Sequence, residues 1–247
     1  MCKSRFLHLL HSFRSRIPAQ ISHLGVELSD DVQIECKQPA TLVCFAVRQE
    51  ARPFKRLIGS RPDVRVLMTG MGQRNAEKAI RAALAIEKPA RVFTCGFAGG
   101  LNPELKTGDV VFLTAYWDID KSLVEAGARP VSFFYSPQVV STRVEKEKIW
   151  REKHVGAVEM ESHYIQEICR EQAIPCATVR VILDTANEDL PLDFNALMTP
   201  DMRMDFWKLY WTLVKSPGKV PALMRLGKQS KAAAQKLAAL LHKIVTA

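Results

Sequence analysis

Short apolar runs, separated by amphipathic stretches and glycine-bearing turns, set the rhythm of this chain. Thr41–Val47 (TLVCFAV) is apolar almost throughout and predicts a buried strand, followed at Arg48-Gln49-Glu50 by a helix through Leu57. Val64–Met68 (VRVLM) predicts a second buried strand, closed by a turn at Gly70-Met71-Gly72. Ala76, Ala79, Ile80, Ala83 and Leu84 then recur at helical spacing, as the inner face of a helix that Pro89 ends. Arg91–Cys95 (RVFTC) is a third strand, running into a turn at Gly96-Phe97-Ala98-Gly99-Gly100, and Asp109–Ala115 (DVVFLTA) follows a turn at Gly108. Further along, Val158-Glu159-Met160-Glu161 leads into a helix with Tyr164, Ile165, Ile168 and Cys169 inward, and Ala177–Leu183 (ATVRVIL) is a strand that delivers Asp184.

Strands alternating with helices predict an α/β fold of three layers, a central mixed and largely parallel sheet flanked by helices, with its ligand site at the carboxyl ends of the strands. The two ends of the chain differ from this body. Residues 5–17 place Phe6, Leu9, Leu10, Phe13 and Ile17 at helical spacing among Lys3, Arg5, Arg14 and Arg16, which predicts a short basic amphipathic helix. From Asp205 onward two basic helices are expected, one rich in aromatics (Phe206, Trp207, Tyr210, Trp211) and one rich in Ala and Leu over 231–246, separated by Ser216-Pro217-Gly218. The chain therefore divides into a basic N-terminal extension over 1–40, a catalytic domain over 41–204 and a basic helical C-terminal extension over 205–247.

Composition sharpens this picture in three respects. A length of 247 residues with 47% hydrophobic content supports one substantial core with appendages. The formal charge of +9 is carried by the ends: four cations and no acids in residues 1–20, eight cations and no acids in residues 206–247, leaving the body at about −3. A basic groove through the body is thus not expected, and the ends are what an anionic surface would attract. Nucleic acid and anionic membrane are both such surfaces; no nucleic-acid partner is expected, and peripheral membrane contact through residues 1–20 and 206–247 is. The six cysteines are scattered singly, which fits a reducing cytoplasm and neither a disulfide framework nor a zinc site. No run approaches the roughly 18 apolar residues of a membrane span.

Three acids stand where a solvated surface charge would not: Glu50, Glu161 and Asp184, each at the end of an apolar segment. Each alone also fits a helix-start or loop acid favoured by the helix dipole. As a set they offer different chemistry, since a desolvated carboxyl acts as an acid while a hydrogen-bonded carboxylate stays ionised and can activate water. The six histidines show no metal-binding pair, His163 reads as structural, Cys95 lacks a nearby histidine, and neither a G-x-S-x-G elbow nor a phosphate-binding G-K-[ST] loop occurs. No metal and no cofactor are expected.

The segments TGMGQRNA (69–76), CGFAGGL (95–101), GDVV (108–111), VEMES (158–162) and RVILDTAN (180–187) occur in this order. The set resembles the nucleoside phosphorylase superfamily over roughly residues 41–190, and within it the methylthioadenosine/S-adenosylhomocysteine nucleosidases and the hopanoid-associated phosphorylase-like proteins. The resemblance implies a nucleoside phosphorylase-like fold and cleavage of the N-glycosidic bond of a purine nucleoside, adenine being the base. It implies Glu50 as the water-activating carboxylate and Asp184 as the acid at the imidazole-ring nitrogen of the purine. Glu161 would bind the ribose hydroxyls and Met160 would pack on the sugar, with Glu159, Gly70, Gly72, Gly96, Phe97, Ala98 and Gly99 completing the substrate site.

The sequence departs from the family where serine is usual: Phe97 stands in the glycine motif and Leu183 precedes Asp184. Phe93-Thr94-Cys95 stands where a phosphorylase would be expected to carry a phosphate-binding arginine. These departures favour water as nucleophile and a greasier pocket, as for an adenosylated lipid (hopanoid) or a thioadenosine-type substrate. A phosphate-dependent purine nucleoside phosphorylase and a non-catalytic nucleoside- or membrane-binding protein are the competing readings, and a homo-oligomer is left open.

Overall fold

The computed structural model describes residues 40–246. The amphipathic helix expected over 5–17 and the extension 1–40, apart from Ala40, lie outside the described residues.

The alternation expected before Tyr116 and after Val158 is present, and the stretch between them, for which the sequence pattern predicts no element, adds two helices and three short strands. Strand β1 (Thr41–Phe45) is followed by helix α1 (Arg48–Ile58), β2 (Val64–Met68), α2 (Gln73–Ile86), β3 (Arg91–Gly100) and β4 (Val110–Thr114). Then come α3 (Trp117–Glu125), the short strands β5 (Arg129–Pro130) and β6 (Phe133–Tyr135), α4 (Arg143–Lys153), β7 (Ala157–Glu159), α5 (Ser162–Glu171) and β8 (Cys176–Asp184). Helix α6 (Phe206–Lys215), a 3-10 turn at Pro217–Lys219 and α7 (Val220–Thr246) close the described chain. The strands lie in the order β2-β1-β3-β8-β4-β5, with β7 on β3 and β6 on β7. All pairings are parallel except β4 with β8 and β7 with β3.

Period-two alternation along the strands sorts side chains onto the two faces of the sheet. Val43 and Phe45 of β1 point into a core shared with Phe93, Val179, α1 (Ala51, Phe54) and α3 (Leu123). Leu42 and Cys44 of the same strand point the other way, against α2 (Ala76, Ile80) and α5 (Ile165, Ile168). Helices thus cover both faces, which is the layered arrangement that parallel strands require.

Two expectations are corrected. The glycine-rich segment 96–100 is not a turn: β3 continues through it, pairing with β8 as far as Gly99 opposite Asp184, with a bulge between Ala98 and Gly99. Hydrogen bonding to β8 on one side and to β7 on the other keeps this segment extended despite its glycines. The C-terminal region is also not a separate extension, since one compact unit runs from β1 to the end of α7. From Ala233, α7 buries Ala234, Leu237, Ala238, Leu241, Ile244 and Val245 in the core shared with α1. This face repeats every three to four residues, so the catalytic domain extends past 204 to the last turn of α7, while Lys231, Lys236 and Lys243 remain on the solvent side.

Leu241→Ala is expected to destabilise the fold by about 2–5 kcal/mol, the usual cost of a cavity at a fully buried leucine, read as a lower midpoint in urea unfolding. An unchanged midpoint would return α7 to the status of an appendage.

Candidate active site

The parallel strands β1, β3 and β8 end on one edge of the sheet, and the acids singled out in the sequence gather there. Glu50 is the third residue of α1, close enough to the end of β1 to fold back on it. One carboxylate oxygen accepts from Val47 N–H (3.2 Å) and caps the helix, while the other accepts from Phe97 N–H (2.9 Å) on β3. Glu50 is buried, and burial raises its pKa against the opposing pull of the Phe97 N–H, the Arg180 charge and the Val47 and Ala46 backbone. Gly96 is required beside it, because a Cβ at that position would lie 2.8 Å from Glu50 Oε1.

A second cluster forms where β7 meets α5. Glu159 is buried and caps α5: its carboxylate accepts from Ser162 N–H (3.0 Å), Ser162 Oγ–H (2.9 Å) and Glu161 N–H (3.1 Å). Arg180, in the middle of β8 and 2% exposed, donates to Glu159 Oε2 (2.6 Å), Ser162 Oγ (2.7 Å) and Thr94 Oγ1 (3.2 Å). Burial works against the charge of Arg180, but Glu159 and Glu161 hold it protonated. With its oxygens engaged in this way, Glu159 serves the site by fixing the start of α5 and thereby Glu161.

Glu161 reaches across to the turn after β2. Its Oε1 accepts from Gly72 N–H (3.1 Å) and its Oε2 stands 4.0 Å from Arg180 Nη2. Gly72 has φ of 79°, a left-handed conformation that suits glycine and turns its N–H toward the carboxylate. Burial, followed by the charge of Glu159, pushes the Glu161 carboxyl up to about 7. Met160, Met71, Met202, Tyr164, Pro137 and Pro200 line an adjacent cavity of about 410 Å³, with the exposed Arg74 and Lys78 on its α2 side.

Asp184 ends β8 opposite Gly99, where a Cβ would lie 3.3 Å from Asp184 Oδ2. That oxygen accepts from Lys146 Nζ on α4, at 2.5 Å, while Oδ1 has no hydrogen-bond partner among the described residues. Burial raises the Asp184 pKa, and the charge and hydrogen bond of Lys146 oppose the rise. Two of the three glycines of β3 therefore make room for a carboxylate, Gly96 for Glu50 and Gly99 for Asp184. Phe97 contributes its N–H and packs its ring on the core, and Ala98 is buried in a separate cluster with Val111, Phe133 and Ile182.

The site residues to which the sequence assigned no role are Arg180, Thr94, Ser162 and Lys146. Arg180 carried a signal, since an arginine inside the apolar run ATVRVILD demands a buried acid. Lys146 carried none, being one cation of a highly charged helix. Thr94, where a phosphate-binding arginine was sought, belongs to the Arg180 network. Cys95 is buried, which pushes its thiol far above the usual range, and His163 lies between Tyr135 and Tyr164 with Nε2 3.6 Å from Glu167.

The raised pKa of Glu161 links the site to stability. The folded protein holds this proton more tightly than the unfolded chain, so the contribution to folding is full below about 4.5 and is lost as pH rises toward about 7. Glu161→Gln is expected to be more stable than the wild type at pH 8, by on the order of 1–3 kcal/mol in urea unfolding, with no difference in acid. A variant no more stable at pH 8 would contradict the buried, strained carboxylate.

The chain matches the phosphorylase superfamily model over residues 25–142 and 128–206. It is 29% identical over 170 residues to the 5′-methylthioadenosine/S-adenosylhomocysteine nucleosidase of Glaesserella parasuis, covering 55% of this chain and 74% of that relative. Its fold is similar to that of futalosine hydrolase from Helicobacter pylori, with a TM-score of 0.65 at 16% identity over 85% of this chain and 98% of the other. A 5′-methylthioadenosine/S-adenosylhomocysteine nucleosidase from Colwellia psychrerythraea, in complex with adenine, superposes with a TM-score of 0.63 at 15% identity, covering 85% and 95% of the two chains.

Proposed function

The chain is an enzyme that belongs to the phosphorylase superfamily, and on that premise we propose that it hydrolyses the N-glycosidic bond of a purine nucleoside, with adenine as the leaving base. The observation that carries this reading is the charge of the site. Glu50, Glu159 and Glu161 surround a single guanidinium, and that guanidinium is already paired with Glu159. A phosphate dianion would meet carboxylates there, whereas the cationic sugar of an oxocarbenium-like transition state would be stabilised by them. The named nucleosidase relative supports the same reaction class.

In this scheme the roles divide along β3. Glu161, with Oε2 free of close hydrogen bonds, holds the ribose hydroxyls, and Met160 lies against the sugar. Asp184 delivers a proton to the imidazole-ring nitrogen of the purine as the bond to the sugar breaks. Glu50, held by Val47 and Phe97 N–H groups and raised by burial, takes the proton of the attacking water. Gly70 and Gly72 let the backbone of the turn approach the sugar.

In this reading the 5′ group enters the adjacent cavity, lined by Met71, Met160 and Met202 and also by Gln73, Arg74, Asn75 and Lys78: a thioether, or a lipid of the adenosylated hopanoid kind. Helix α6 supports the second option. It buries none of its residues and exposes Phe206 and Trp207 (75% each), Tyr210 (54%) and Trp211 (56%). The cavity-lining residues Pro200, Asp201 and Met202 lead directly into it. Interfacial aromatics together with eight cations and no acids over 206–247 make this an expected contact for an anionic bilayer. No helix among the described residues is long and apolar enough to cross a membrane.

Two outcomes are expected. The full chain releases free base from a purine nucleoside panel, and Asp184→Asn lowers kcat about a hundredfold to ten-thousandfold with little change in KM; absence of release from every member sinks the reading, and full turnover in the variant removes Asp184 from it. Sedimentation with vesicles of rising anionic lipid content should show salt-sensitive binding that a Trp207→Ala/Trp211→Ala double variant weakens; no binding at low salt would end the membrane proposal.

A further inference from the structure

Helix α4 buries one residue, and that residue is a lysine. Its sequence, RVEKEKIWREK, is charged on nearly every face, and Val144 is left 70% exposed while Lys146 is fully buried. Docking of this helix therefore sacrifices an apolar contact and inserts a cation. The ammonium has three donors, and each finds an acceptor: Asp184 Oδ2 at 2.5 Å, Thr185 O at 2.9 Å and Glu188 O at 2.7 Å. A lysine seldom lies without solvent contact unless its charge is matched, and its match here is the carboxylate at the end of β8.

We propose that Lys146 is the positioning and proton-supplying partner of Asp184, so that the acid of the reaction is the Lys146–Asp184 pair and not the aspartate alone. The inference rests on the reading of Asp184 as the acid of glycosidic cleavage. With Oδ2 fixed by Nζ, the carboxyl plane is set and Oδ1 is presented to the base. In the resting pair the dissociable proton is on Nζ and the carboxylate is ionised. As the C1′–N bond breaks and its electron pair moves onto the purine, that proton passes from Nζ to Oδ2; the carboxyl, now neutral and released from the ammonium charge, turns about Cβ–Cγ, and the Oδ2 hydroxyl gives the proton to the ring nitrogen. Lys146 is left neutral and Asp184 ionised, while the water oxygen bonds to C1′ and its proton goes to Glu50. Solvent restores the lysine proton after the base departs.

The other groups around the pair do not supply this proton. Glu188, in the loop after β8, raises the Asp184 pKa by its charge, and its side chain is bonded to Thr185 N–H. Gly99 of β3, which faces Asp184, and Val158 of β7, which packs on Gly99, carry no charge. Elsewhere on α4, Glu145 caps the helix through Thr142 and Glu147 pairs with Arg151 at the surface.

The test compares Lys146→Met and Lys146→Arg with the wild type in kcat and KM across pH, together with a carbon-13 titration of the Asp184 carboxyl. Lys146→Met is expected to lose about a hundredfold in kcat at neutral and alkaline pH with KM little changed, a loss that shrinks in acid where solvent protonates Asp184 directly. Lys146→Arg keeps the charge but holds its proton, and is expected to be as slow as the methionine variant. An arginine variant near wild-type rate, or a methionine variant whose loss is independent of pH, overturns the proposal. If the wild type itself releases no base, the hydrolase reading fails separately, and the pair is then judged by the titration. Asp184 should take up its proton at higher pH in Lys146→Met than in the wild type, and coincident titrations overturn the pair as well.

Discussion

The buried guanidinium of Arg180 is what the rest of the site depends on. Taking a carboxylate out of water costs several kcal/mol unless a counter-charge and hydrogen bonds replace its hydration, and this fold buries Glu50, Glu159 and Glu161 beside one another. Arg180 stands in the middle of β8, between β3 and β4, where its Nη2 meets Glu159, Ser162 and Thr94 and its charge also reaches Glu50 and Glu161. Its Nε has no hydrogen-bond partner among the described residues. Through Glu159 it fixes the start of α5, through α5 the position of Glu161, and through Glu161 the Gly72 turn after β2. Three segments distant in sequence are thus held by one ion-pair network whose members are almost wholly out of solvent.

The network gathers three carboxyl groups around one guanidinium, and that imbalance gives the chemistry its direction. An oxocarbenium-like sugar is favoured and an anionic nucleophile is not. The base side is built differently. Asp184 lies outside the Arg180 network and has its own cation in Lys146, so the carboxylates differ in environment and hence in role. Strand β3 joins the two halves, with Gly96 leaving room for Glu50 and Gly99 for Asp184.

Much of this was legible in the sequence because the responsible residues interrupt a pattern. Glu50, Glu161 and Asp184 are acids at the ends of apolar runs, and the strands and helices of the body follow the predicted alternation. The segment 96–100 misled because glycine was read for the turns it permits, whereas here it provides space for neighbouring carboxylates within a paired strand. The C-terminal helix misled because its cations were counted before its apolar stripe: Leu237, Leu241, Ile244 and Val245 form a core face that the charge total conceals. Arg180 broke an apolar strand and was readable in principle. Lys146 was not, since nothing within α4 distinguishes it from the solvated lysines beside it; only the docking of that helix against the end of β8 does.

The most direct test of the central claim, that a carboxylate-rich site with one committed guanidinium selects water over phosphate, is the identity of the sugar product formed in saturating inorganic phosphate. The account predicts free sugar and a rate of base release that phosphate does not raise. Ribose 1-phosphate as the main product, with a rate that climbs with phosphate concentration, would contradict it.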